Sequence, residues 1–134
     1  MNGRLPPPSE RQVHTQDALI ELPFPAKILW PNGRGHWGTR REAVKKHRQW
    51  AHDAALAAGI RLGRFPERIH WSATFYPKTA NKIDSDNAAA SLKAYQDGIA
   101  EAMRVNDQRF DNPTIHFAEP VKNGKVVIRI GGEG

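Results

Sequence analysis

Between residues 69 and 103 the hydrophobic period changes from two to about 3.6, and this restricts the chain to folds in which a helix follows a half-buried strand. In the first part, Ile69, Trp71, Ala73 and Phe75 alternate with His70, Ser72, Thr74 and Tyr76, the pattern of a strand with one buried face. After a turn over Pro77 to Asn81, residues Ala88, Leu92, Tyr95, Ile99 and Met103 form one apolar stripe of a helix expected over 87–103.

The rest of the chain can be read around that unit. Ala18 to Phe24 is a short first strand, which Pro23 and Pro25 place at a sheet edge or strand end. Trp30 to Gly38 reads as loop. Thr39 followed by Glu42 suggests a capping box, with a helix running through Leu56 and Ala57 to a stop at Gly59. On that helix Ala43, His47, Trp50, Ala54 and Ala58 share one face, and Arg41, Lys45, Arg48 and His52 another. Asn123-Gly124 between apolar runs suggests a hairpin of residues 112–121 with 125–130. The expected order is β-α-β-α-β-β, an α+β fold with a small mixed sheet and two main helices. Residues 1–16, polar and proline-rich, read as a flexible N-terminal arm before one domain over 17–134.

Charge narrows the partners. The 134 residues carry 20 Lys plus Arg against 14 Asp plus Glu, a formal charge of +6, and such an excess usually answers an anionic partner. It is unevenly placed. Residues 84–111 hold six acids (Asp84, Asp86, Asp97, Glu101, Asp107, Asp111) and three bases, whereas residues 34–52 hold six bases and one acid, Glu42. A DNA-binding module needs only the basic part. An enzyme that cuts phosphodiesters with metal ions needs carboxylates set in a basic surface, and this distribution suits that second class. The absence of cysteine excludes a disulfide scaffold, cysteine-based zinc sites and thiol nucleophiles, and fits a reducing compartment. No apolar run approaches the about 18 residues of a membrane span, and no apolar secretion leader is evident, so the chain is expected in the cytoplasm.

The chemistry concentrates at Asp84 and Asp86. In an extended segment two residues apart they would point to one side and share a cation. Steps of seven and eleven residues bring Lys93 and Asp97 to within about 20° of Asp86 around a helix. Taken singly, each has an ordinary explanation, a helix cap for Asp86 and a surface ion pair for Lys93 with Asp97. Against that, Lys before Asp at this spacing is the poorer order for helix stability. Other signatures fail. The glycine loop over 32–38 lacks the Gly-Lys-Ser/Thr of a P-loop. Ala88 and Ala89 stand where a calcium loop needs a ligand and a glycine. His47 and His52 are not spaced as zinc ligands, and His47 reads as a packed helix residue. Ser72 and Ser91 have no evident triad partners.

The ordered set Asp84-Ser85-Asp86-Asn87, Lys93, Asp97 and Asn106-Asp107 resembles the RusA-type Holliday-junction resolvases over about residues 17–130. Leu22-Pro23-Phe24-Pro25 resembles that family's first strand and its exit, and Pro31-Asn32-Gly33 the loop before its first helix. The resemblance implies a RusA-like fold and a magnesium-dependent homodimer that cuts four-way DNA junctions in recombination and repair, bacterial or phage-encoded. It makes Asp84, Asp86 and Asp107 the metal-binding carboxylates and, with Lys93, the catalytic residues. Two positions depart from the pattern. Asn106 stands where an Asp is common, and only Lys78 and Lys82 precede Asp84 where arginines are often found.

Hard oxygen donors select Mg²⁺, with Mn²⁺ as substitute. Lys93 would set a compact positive charge against the transition state, positioned by Asp97. Arg41, Lys45 and Arg48 would hold phosphates, with Arg34 and His36 near the strand crossover and Lys78 and Lys82 before the acids. The straight helix over 87–103 would itself separate Asp107 from Asp84 by roughly 25 Å along its axis. Either the helix breaks early and the chain folds back, or two subunits place their second helices antiparallel so that Asp107 of one completes the Asp84 and Asp86 site of the other, and the site shared across the dimer is the expectation. The rival reading is a non-catalytic DNA-binding protein that kept the resolvase fold.

Overall fold

Four strands form one mixed sheet in the order β1-β4-β2-β3. They are β1 (Ala18–Leu22), β2 (Trp71–Tyr76), β3 (Thr114–Phe117) and β4 (Lys125–Ile130), joined by helices α1 (Trp37–Ala57), α2 (Ser85–Ser91) and α3 (Lys93–Met103). This computed structural model describes residues 18–31, 37–60, 67–80 and 83–131, so the expected arm over 1–16 lies outside the described residues. β4 runs antiparallel to both β1 and β2, and β3 runs parallel to β2. The architecture is α+β, with a small mixed sheet.

Strand alternation decides which side is covered. Ile20 and Leu22 of β1, Trp71, Ala73 and Phe75 of β2, and Val126, Ile128 and Ile130 of β4 are buried in one core with Ala88, Leu92, Tyr95, Ile99 and Met103, the apolar stripe of the second helical segment. The segment starts earlier than its stripe suggests, because Asp84 caps it: its Oδ1 accepts from the Asn87 amide at 2.8 Å. It is also jointed. Leu92 closes α2 with a tight turn (φ −84°, ψ −10°; amide to Ala89 oxygen 3.2 Å), and α3 continues from Lys93.

α1 differs from its expected reading at two places. It begins at Trp37, which takes Thr39 inside the first turn, so Thr39 and Glu42 form no capping box. The start is tied down from a distance, as the Arg40 guanidinium donates to the carbonyls of Ile28 (2.8 Å) and Trp30 (3.1 Å). Its buried line is His47, Ala51 and Ala55, while Trp50 is 38% exposed and Ala58 is exposed. Small residues set this rotation. A Cβ on Gly98 of α3 would lie 2.1 Å from the Arg48 carbonyl oxygen and 3.0 Å from Ala51 Cβ, so the two helices meet backbone to backbone where side chains are smallest. Trp50 is left on the flank with the Lys46 ammonium 5.9 Å from its ring. The stop at Gly59 is as expected. With Gly59 at φ +88°, its amide bonds to Leu56 oxygen at 3.1 Å and the Ile60 amide to Ala55 oxygen at 3.1 Å, a Schellman end.

The expected hairpin of 112–121 with 125–130 does not form, because β2 lies between β3 and β4. Asn123 and Gly124 do turn the chain, both at positive φ. The turn, however, ends a crossing over the end of β2, in which Ala118 and Val121 amides bond to the Phe75 and Pro77 carbonyls at 2.9 Å each. A tight-turn signal specifies a local reversal but leaves the neighbouring strand open. Here the helical crossover from β2 has already delivered β3 to β2 in parallel.

Candidate active site

α3 ends in a reversal that brings a later acid back onto it. Arg104 takes the left-handed conformation (φ 57°, ψ 44°), the Arg104 amide bonds to Glu101 oxygen and the Val105 amide to Ala100 oxygen at 3.1 Å each. Asn106 then caps a short 3-10 turn over Asp107–Arg109, its Oδ1 accepting from the Gln108 amide at 2.8 Å. An Asp could make the same bond, so the cap explains a side-chain oxygen at this position but not the choice of Asn over Asp. Gln96 of α3 donates from Nε2 to the Asp107 carbonyl at 3.2 Å.

The result is an ammonium between two carboxylates. Lys93 Nζ donates to Asp107 Oδ2 at 2.5 Å and pairs with Asp97 Oδ1 at 3.1 Å. The hydrogen bond to Asp107 raises the Lys93 pKa and lowers that of Asp107 in return, which keeps both charged. On the α1 side Arg48 meets Glu101 at 3.5 Å, and a hollow of about 320 Å³ opens between Arg48, Asp97, Glu101, Asn106 and Asp107. The basic stripe of α1 and the acidic island therefore meet at one place.

The remaining expected residues are distributed as follows. Asp84 and Asp86 are not in an extended segment. Asp84 is the helix cap and also accepts from Asn87 Nδ2 at 3.2 Å, whereas Asp86 lies in the first turn of α2, exposed. Asp84 borders a groove of about 720 Å³ walled by Pro77, Ile83, Phe117 and Pro120. Among the described residues no three metal-ligating side chains gather into one group, and the Asp107 carboxylate is turned to Lys93. In donor chemistry Asp84 and Asp86, both exposed carboxylates, fit a hard divalent cation. Arg41, Lys45, Arg48 and Lys78 are exposed. Arg34, His36 and Lys82 lie outside the described residues.

His47 is packed, as expected. The Ala26 amide donates to its Nε2 at 3.2 Å and its Nδ1 faces the Ala43 carbonyl at 2.7 Å, which assigns the proton to Nδ1, and burial lowers its pKa. Other partners of the site had no role in the sequence reading. Gln96 carries a weak signal, three residues from Lys93 on the same helix. The Arg48–Glu101 pair has none, because it depends on the close approach at Gly98.

The fold and site thus define a small α+β domain in which a lysine, two carboxylates and a basic helix meet. No protein-family model matches the sequence. Over 115 residues the chain is 40% identical to an "Uncharacterized protein" of Xylella fastidiosa (strain Temecula1 / ATCC 700964), covering 84% of this chain and 75% of that one. The chain belongs to the same family as that protein. No helix of the described residues is long and apolar enough to cross a membrane.

Proposed function

We propose that this protein is a metal-dependent endodeoxyribonuclease of the RusA type that cleaves four-way DNA junctions in recombination and repair, acting as a homodimer. The observation that carries the reading is the return of Asp107 onto Lys93 and Asp97, beside Arg48 of the basic helix. Such a site offers a held cation next to an anionic strand, and carboxylates within a basic surface. Lys93 places its charge on the non-bridging phosphate oxygens, and Asp97 keeps the ammonium directed as Asp107 exchanges partners. Arg41, Lys45 and Arg48 carry the backbone, with Arg34, His36, Lys78 and Lys82 as further phosphate contacts. Asp84 and Asp86, with Asp107, are the proposed ligands of Mg²⁺ or Mn²⁺. When bound, the cation polarises the scissile phosphate and acidifies a water. Incubating the protein with a synthetic four-way junction, with and without Mg²⁺, tests this: paired nicks that appear only with the metal support it, and an uncut junction in both refutes it.

One observation favours a second reading. Among the described residues three ligands do not gather, as expected of a DNA-binding protein that kept the fold without catalysis. Such a protein would bind the junction tightly and cut nothing at any Mg²⁺ or Mn²⁺ concentration.

A further inference from the structure

The turn that carries Asp107 is clamped from its far side by an acid with no part in the chemistry above. Asp111 receives Arg68 on Oδ1, from Nε and Nη2 at 2.7 Å each, and faces His70 Nδ1 with Oδ2 at 2.5 Å. Its carbonyl accepts from Trp71 Nε1 at 2.6 Å. Arg68 also donates from Nη1 to the Gln108 carbonyl at 3.1 Å, inside the turn itself. Arg68 and His70 flank Ile69, whose amide bonds to Arg109 oxygen (2.7 Å) and whose carbonyl accepts from the Asp111 amide (2.9 Å). Between them the buried Phe110 stands edge-on to Trp71, centroids 5.6 Å apart. The chain over 107–111 is therefore pinned to the start of β2, while its other end is held by Gln96 and the cap at Asn106.

We infer that Asp111 is a positioning residue, which through Arg68 and the start of β2 fixes the 107–109 turn so that the Asp107 carboxylate is presented to Lys93. Its consequence for cleavage rests on the proposed nuclease function; the positioning itself does not. A carboxylate four residues from Asp107 suits this task because it grips a guanidinium and an imidazole together, one on each oxygen. A misplacement of about 1 Å at a reacting group can lower a rate by about a hundredfold.

The test uses the full chain as wild type, Arg68→Ala, Asp111→Ala and the double variant. Arg68→Ala removes only an exposed side chain, so it remains informative if Asp111→Ala does not fold. The first readout is the NMR contact between the Lys93 ε-methylene and the Asp107 β-methylene. It should be present in wild type and weakened or lost in the variants, with β1 and β4 amide shifts unchanged. Retention in both single variants overturns the inference. The second readout separates rate from affinity on a four-way junction. Single-turnover cleavage should fall at least about tenfold with affinity within about twofold, and the double variant should be no slower than Asp111→Ala, since both act through one clamp. Loss of the contact with an undiminished rate also overturns it. If wild type cuts no junction, the nuclease reading fails and the NMR contact alone decides whether Asp111 positions Asp107.

Discussion

Lys93 and Asp107 are fourteen residues apart in the chain, and the lysine ammonium donates to the Asp107 carboxylate at 2.5 Å. A left-handed Arg104 makes this possible by turning the chain back along α3 as soon as the helix ends. One chain therefore assembles the lysine and both of its acids. The expectation of a site shared across a dimer began from an Asp107 carried away by a straight helix, and the reversal instead keeps Asp107 beside Lys93 of its own chain.

That has a consequence for mixed dimers. Asp84→Asn and Asp107→Asn proteins, mixed with subunit exchange verified, should give no recovery of nicking, because each site within its own chain carries one lesion. Partial recovery, measured on a junction labelled on all four strands, would show a site shared between subunits.

Gly98 should not tolerate a methyl group. A Cβ there meets the Arg48 carbonyl, which the α1 backbone holds in place. Overpacking of this kind costs about 1–3 kcal/mol. Alanine recovers about 1 kcal/mol in helix propensity. The clash concerns rigid backbone, so it sits at the upper end and wins. Thermal unfolding of Gly98→Ala should show a Tm lower by several degrees, and an unchanged or raised Tm would contradict the close approach of α1 and α3.

These two features also show where the sequence was legible. The alternation at Ile69 to Phe75, the stripe from Ala88 to Met103 and the stop at Gly59 are local patterns, and each reappears in the structure. The placement of β3 is not local, since a turn at Asn123-Gly124 looks the same whichever strand its arms join. Nor is the buried line of α1, because Trp50 outweighs Ala51 in any hydrophobic count while Gly98, on a helix far along the chain, selects Ala51. Arg104 carries no signal either, as left-handed residues are usually read from Gly or Asn. At the candidate site, Lys93 and Asp97 meet as their spacing suggests, whereas the approach of Asp107 depends on that silent reversal.

His47 should make the fold sensitive to acid. It is neutral and buried, with a lowered pKa, so the unfolded chain binds its proton more readily than the folded one below about pH 6.5. Stability from this residue is full above that pH and declines as pH falls toward the lowered folded value, by at most about 1.4 kcal/mol per pH unit. Denaturant midpoints measured from pH 7.5 to 5 should fall for wild type and fall less steeply for His47→Gln. Parallel slopes would mean that His47 titrates normally.

The basic stripe should be visible in salt dependence. Lys45→Ala with Arg48→Ala should lower the log-log slope of junction binding against salt by about one to two, since each phosphate contact contributes nearly one. Glu101→Gln should tighten binding, because it frees Arg48 from its present partner. An unchanged slope would make the stripe an ordinary solvated face.

The nuclease reading is most directly decided at Asp84, where the fold permits a clean substitution. Its carboxylate caps α2 through Oδ1, and Asn caps helices as well as Asp, so Asp84→Asn removes a charge and a metal donor without disturbing the helix start. Junction cleavage in Mg²⁺ and junction affinity should be measured side by side for wild type, Asp84→Asn and Asp86→Asn. Cleavage by wild type that disappears in both variants, with affinity equal or higher as negative charge is removed, is the expected result. Cleavage by either variant at near the wild-type rate would contradict the assignment of these acids.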